Sequence, residues 1–162
     1  ILYNFEKLSG FKFELSFVKK LVDAFPKNII GCKDSTYNLY ENLKIKDFLI
    51  FPGDESKLLK GLEIGCSGCI SAIANVTHKL ARDVFDNYEK NKPQINNERL
   101  ISVRRVFDNY NLISGLHCYM SAQNAKFKNL LPPLKLLNSK ENKELLKKLE
   151  TLKFSFKKNI AA

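Results

Sequence analysis

Asn28-Ile29-Ile30-Gly31-Cys32-Lys33-Asp34-Ser35-Thr36 is the stretch on which the fold turns. An apolar run this short, closed by a polar turn, reads as a buried strand rather than a helix. Lys33 ends the run, on the threshold between strand and solvent. A lysine in that place has two readings. It can snorkel its ammonium into water, or burial can favour the neutral amine and make it a nucleophile of the Schiff-base kind.

Three further runs have the same form. Ile1-Leu2-Tyr3 precedes Asn4-Phe5-Glu6-Lys7-Leu8-Ser9-Gly10, and Phe48-Leu49-Ile50-Phe51 precedes Pro52-Gly53-Asp54-Glu55. Gly68-Cys69-Ile70-Ser71-Ala72 is the last. Amphipathic segments separate them: Phe17, Val18, Leu21, Val22 and Phe25 up to Pro26; a short helix expected around Leu39, Tyr40 and Leu43; Leu58, Leu59 and Leu62; then Leu80, Val84, Phe85 and Tyr88. Continuous apolar runs alternating with helices predict parallel strands in repeated βα units. Polar groups gather where the runs end, at Tyr3, Lys33 with Ser35, and Asp54 with Glu55. Open α/β sheets and (β/α) barrels both place their chemistry at such carboxyl ends.

After Lys90-Asn91-Lys92-Pro93 the pattern is helical only. Leu100 to Tyr110 predicts one helix and Leu116 to Ala125 another, before Leu131-Pro132-Pro133-Leu134 interrupts the chain. Ser139 is placed to cap a last helix whose apolar face is Leu145, Leu146, Leu149 and Leu152.

Composition narrows the class. The 162 residues are 44% hydrophobic, enough to bury a core, and no apolar run is long enough to cross a bilayer. Ile1-Leu2-Tyr3-Asn4 is too short for a signal-peptide core, so a soluble, cytoplasmic protein is expected. The net charge of +10 raises nucleic acid or an anionic membrane as partner. Lysine thickens only near the end, at Lys140, Lys143, Lys147, Lys148, Lys153, Lys157 and Lys158. Without a nucleic-acid motif, a solvated lysine-rich face is the expectation, with binding to neither; a basic binding module using that tail is the competing reading. Cys66-Ser67-Gly68-Cys69 lacks a second cysteine pair, and His78 and His117 lie at no ligand spacing. No metal is expected, and Cys32, Cys66, Cys69 and Cys118 read as free thiols. Asn75-Val76-Thr77 is a formal sequon only.

Taken together, Leu2-Tyr3-Asn4 with Leu8-Ser9-Gly10, Ile29 to Ser35, Gly53-Asp54-Glu55 and Gly68 to Val76 resemble the later strands of the dihydrodipicolinate synthase / N-acetylneuraminate lyase family, in order and in spacing. Leu131-Pro132-Pro133-Leu134 is similar to the proline segment before that family's last helix.

The resemblance implies an α/β fold, a (β/α)₈ TIM barrel, of which residues 1–92 would supply strands five to eight and residues 93–162 a C-terminal helical extension. It implies a pyruvate-dependent class I aldolase or lyase, homo-oligomeric and usually tetrameric, working without a cofactor on pyruvate and an aldehyde or 2-keto acid. Lys33 falls on the Schiff-base lysine and Tyr3 on the proton-relaying tyrosine. Ser35, Gly53, Glu55 and Ile70 fall on substrate-contacting positions; for Glu55, a charge that only complements a helix N-terminus is the other reading.

Some positions depart from the family pattern. Leu8 stands where synthases carry arginine, which favours a neutral, hydroxylated partner, whereas Gly53-Asp54-Glu55 is closer to the synthases. Glu6 replaces a proline and Ala72 a serine of sialic acid lyases, which leaves open another 2-keto-3-deoxy sugar acid. The pyruvate-binding glycine- and threonine-rich turn, and the tyrosine lent by a neighbouring subunit, belong to the first half of the barrel. The chain therefore reads as a fragment, and a non-catalytic or truncated half barrel is the alternative.

Overall fold

Three of the four apolar runs pair as one parallel sheet in the computed structural model, which describes residues 1–155. Strands β1 (Leu2–Asn4), β2 (Gly31–Asp34) and β3 (Leu49–Pro52) lie in the order β1-β2-β3. Their register sets Tyr3 opposite Lys33 and Lys33 opposite Phe51. Because successive residues of a strand point to opposite faces, Leu2, Cys32 and Ile50 share one face and Tyr3, Lys33 and Phe51 the other. The first face is covered. Val18 of helix α2 (Leu15–Ala24) packs with Cys32, Leu39, Leu43 and Ile50 into the core. The other face is open: Tyr3 is 45% exposed and Leu49 40%.

The chain divides into two compact units, Ile1–Ser71 with Val84–Gln94, and Ala72–Asp83 with the residues from Ile95 onward. The first holds the sheet, the four-residue helix α1 (Glu6–Ser9), α2 and α3 (Leu58–Glu63), and takes the second part of α4 (Ala74–Glu89). The second is built on α5 (Asn97–Asp108), α6 (Leu112–Ser121) and α7 (Ser139–Thr151). Its core sets Leu100, Val103 and Phe107 of α5 with Leu116 and Tyr119 of α6 and with Leu145 and Leu149 of α7. Gly115 lets α6 come close, since a Cβ there would stand 3.4 Å from the Phe107 ring. Leu145 and Leu149 of the α7 stripe are thus core, and Lys140, Lys143, Lys147 and Lys148 are exposed. Lys157 and Lys158 lie outside the described residues.

Four local expectations are corrected. The run ending at Ile70 is no strand. It holds to β3 through Ser67 N–H to the Ile50 carbonyl at 2.8 Å and Ile70 N–H to the Pro52 carbonyl at 3.1 Å. Between them Gly68 takes φ 137, a conformation that interrupts the ladder. The helix expected around Leu39 is also absent, for the N–H groups of Leu39 and Tyr40 turn to the Asp34 carboxylate at 2.8 and 2.9 Å instead of to a helical carbonyl. Helix α6 starts four residues earlier than expected, because Asn111 caps it by accepting the Ser114 N–H at 3.1 Å. The cap of α7 is Asn138, not Ser139. Asn138 and Glu141 form a reciprocal capping box, each side chain accepting the other's backbone N–H. Asn138→Ala is expected to cost about 1 kcal/mol, measured as a lower urea midpoint with unchanged slope.

No helix among the described residues is long and apolar enough to cross a membrane.

Candidate active site

Parallel pairing brings the carboxyl ends of the three strands side by side. Tyr3 and Lys33 stand next to each other on the open face, with the Lys33 Nζ 4.2 Å from the centroid of the Tyr3 ring. An ammonium over an aromatic face is held by the ring quadrupole. Lys33 is half-buried. Phe5 stands against the Tyr3 ring, centroids 5.7 Å apart, and confines it.

Beyond the strands the pairing continues for one residue. Ser35 N–H donates to the Asn4 carbonyl at 2.8 Å, and Gly53 N–H to the Asp34 carbonyl at 2.9 Å. This sets Ser35 directly on Gly53. A Cβ added to Gly53 would overlap the Ser35 hydroxyl and lie 3.0 Å from the serine Cβ. Gly53 is therefore required for close approach rather than for an unusual backbone angle.

Glu55 opens a 3-10 turn, Glu55–Lys57, and is fully buried. Its Oε2 accepts the Ser71 hydroxyl at 2.7 Å, which fastens the segment after Ile70 to the end of β3. Asp54 caps the same turn, accepting the Ser56 N–H at 2.7 Å. Ile70 itself is 38% exposed. Leu8 on α1 is exposed and makes no part of this cluster, although its helix is tied in through the Glu6 N–H to the Thr36 Oγ1 at 2.9 Å.

The fold thus collects Tyr3, Lys33, Ser35, Gly53, Glu55 and Ile70 at one end of one sheet, with Glu55 turned inward. Residues outside the sequence expectation complete the arrangement. Asn4 and Asp34, each one position after Tyr3 and Lys33, are wholly buried and hydrogen-bonded at 2.8 Å. Their signal was present in the sequence as two polar residues in the same place at two strand ends.

Burial also governs the thiols. The Cys32 thiol, on the covered face, is pushed up to about 12 by burial and then by the Asp34 carboxylate. Burial raises Cys66 and Cys118 as well. In the native protein iodoacetamide is expected to modify the half-buried Cys69 while sparing Cys32 until unfolding; peptide mass mapping reads the order, and equal rates would contradict it. No group of three or more His, Cys, Asp or Glu among the described residues could hold a metal ion. A cavity of about 330 Å³ lies away from this site, between Tyr40, Leu43, Phe48, Ile50 and Cys66 near the start of β3.

Comparison with known proteins gives the geometry its context. The profile of the Dihydrodipicolinate synthetase family matches residues 1–152. The chain belongs to that family. Among curated members, the 4-hydroxy-tetrahydrodipicolinate synthase of Buchnera aphidicola subsp. Schizaphis graminum is 38% identical over 84 residues, 49% of this chain and 28% of that protein.

Solved members of the dihydrodipicolinate synthetase family share the fold. The 4-hydroxy-tetrahydrodipicolinate synthase of Methylacidiphilum fumariolicum SolV superposes with a TM-score of 0.82 at 22% identity, over 94% of this chain and 53% of that one. A prophage protein of the dihydrodipicolinic acid synthase family from E. coli K12, solved in complex with pyruvate, gives 0.78 at 21% over 94% and 55%. The chain therefore spans about half the length of the solved family members it matches.

Proposed function

We propose that this chain carries the Schiff-base half of a pyruvate-dependent class I aldolase or lyase, corresponding to the second half of a (β/α)₈ barrel, its last strand position taken by the irregular run ending at Ile70, and the helices that follow. The observation that carries the reading is the pairing of Tyr3 and Lys33 across two parallel strands, amine over ring at 4.2 Å, at the carboxyl end of the sheet. The pyruvate bound by the family member from E. coli K12 supports the substrate class.

The chemistry follows from the groups present. The Lys33 amine attacks the ketone carbon of pyruvate, the carbinolamine loses water, and the protonated imine withdraws electrons from the adjacent methyl carbon. Loss of a proton there leaves an enamine, which adds to an aldehyde, and water then hydrolyses the product imine to free the Lys33 amine; the reverse sequence cleaves a 2-keto acid. Tyr3 is the proton relay in this reading, the role that the family resemblance gives it, and its ring lies beside the amine. Ser35 contacts the substrate, the Gly53–Glu55 segment borders the aldehyde-derived part, and the Ile70 carbonyl borders the pyruvate. Glu55 acts in this reading through Ser71, holding the Ile70 segment against β3.

Borohydride added with pyruvate should trap a reduced pyruvyl group on Lys33, located by peptide mass mapping. A label on another lysine, or none, overturns catalytic competence of this chain. The second reading, a non-catalytic or truncated half barrel, is favoured by the exposed face around Tyr3 and Leu49 and by the share of family members spanned. It predicts no adduct. Self-association as a homo-oligomer belongs to the first reading, and light scattering measures it.

A further inference from the structure

The buried polar cluster behind Tyr3 and Lys33 has no role in the chemistry just described, and burying a carboxylate is costly unless donors surround it. Asp34 is fully buried and accepts four hydrogen bonds: from Asn4 Nδ2 at 2.8 Å and from the N–H groups of Tyr37, Leu39 and Tyr40 at 2.9, 2.8 and 2.9 Å.

Asn4, equally buried, uses its whole amide. Nδ2 also donates to Asn38 Oδ1 at 2.8 Å, and Oδ1 accepts the Phe13 N–H at 3.0 Å. Asn38 completes the circuit by donating to the Phe13 carbonyl at 2.9 Å. Three side chains thus tie β1, β2, the turn after β2 and the approach to α2 into one unit. The turn is strained as well: Tyr37 takes φ 66, a conformation a non-glycine residue keeps only when its surroundings impose it.

We infer that Asp34 and Asn4 are positioning residues for the reaction. Each is the backbone neighbour of a proposed reacting residue, on the opposite face of the same strand, and their mutual hydrogen bond locks the register that stacks the Lys33 amine on Tyr3. An apolar pair would fill the same volume without fixing the register, since hydrophobic contact is non-directional. A carboxylate and an amide are directional, and between adjacent strands they admit one alignment. The catalytic meaning of this inference rests on the proposed aldolase reading; the geometric claim does not.

Reductive methylation of the full chain with ¹³C-formaldehyde allows a test independent of turnover. The dimethylated Lys33 resonance, assigned by its loss in Lys33→Arg, should lie upfield of the other lysines because the Tyr3 ring current acts on it. Asn4→Ala removes the tie between strands and leaves Asp34 its three backbone donors; Asp34→Asn weakens both ties. In whichever variant keeps native circular dichroism, the Lys33 signal should move to the main lysine envelope. Pyruvate trapping by borohydride should also slow, on the order of a hundredfold, as misplacement of a reacting group by about 1 Å predicts.

A folded variant with the wild-type resonance overturns the inference. Should both variants unfold, hydrogen exchange in the wild type decides. The Leu39 and Tyr40 amides should be protected as strongly as those of β2, and rapid exchange there overturns the inference. An upfield Lys33 signal without any trapped pyruvate would remove the aldolase reading and leave the positioning claim standing.

Discussion

Lys33→Arg is expected to abolish trapping of pyruvate while leaving the fold intact. Arginine keeps the positive charge and can rest on the Tyr3 ring as the amine does at 4.2 Å, so the local electrostatics survive. What it lacks is a neutral form at working pH, and only a neutral amine adds to a ketone. The loss should be at least on the order of a thousandfold, the scale seen when a covalent nucleophile is removed. Trapping rate and urea midpoint should be measured together. Adduct formation in the variant at more than a few per cent of the wild-type rate would show that another lysine is the nucleophile. Because Lys33 is half-buried at a strand end, its substitution leaves the covered core undisturbed, and the midpoint should change little.

Gly53→Ala is the second large effect. The added methyl would overlap the Ser35 hydroxyl and stand 3.1 Å from the Ser35 Cα, so rotating the serine side chain relieves only part of the clash. The backbone has little freedom to respond, being held by Ser35 N–H on the Asn4 carbonyl and Gly53 N–H on the Asp34 carbonyl. Overpacking of this kind costs roughly 1 to 3 kcal/mol. It also separates the ends of β2 and β3, so pyruvate trapping should slow by on the order of tenfold to a hundredfold. Ser35→Gly in the same chain removes the hydroxyl and the Cβ that the methyl meets. The double variant should regain most of the stability, giving a clear coupling in a mutant cycle. Additive losses would show that the Gly53 methyl is obstructed by something other than the Ser35 side chain.

The two effects depend on different kinds of information. That Lys33 ends an apolar run followed by a polar turn is local, and so are the runs ending at Tyr3 and Phe51. Continuous apolar segments between turns leave few other structures once helices separate them. Family membership was legible for the same reason, since its motifs are the strand ends themselves. The apolar faces of α2, α5 and α7 were equally plain from spacing, and the buried Val18, Phe107 and Leu149 lie on them.

What escaped the sequence lies where hydrogen bonds between distant parts of the chain override the local pattern. Leu39 and Tyr40 have a helical pattern, yet Asp34 takes their N–H groups, and nothing local says that a carboxylate will be buried within reach. Gly68 could have continued an apolar strand; its φ of 137 follows from the two hydrogen bonds that pin its neighbours to β3. Glu55 looked like an exposed helix charge or a substrate ligand, and packing turned it to Ser71, sixteen residues further along.

By itself, the sequence determined three of the parallel strands, their direction and the place of Lys33 at the carboxyl end of one, because strand burial and turn chemistry are encoded within a few consecutive residues. Only the tertiary structure decided that Lys33 rests on Tyr3 and that Asn4 is bonded to Asp34 behind them. Each of those contacts joins residues thirty positions apart, and the register that creates it exists only once the strands have paired.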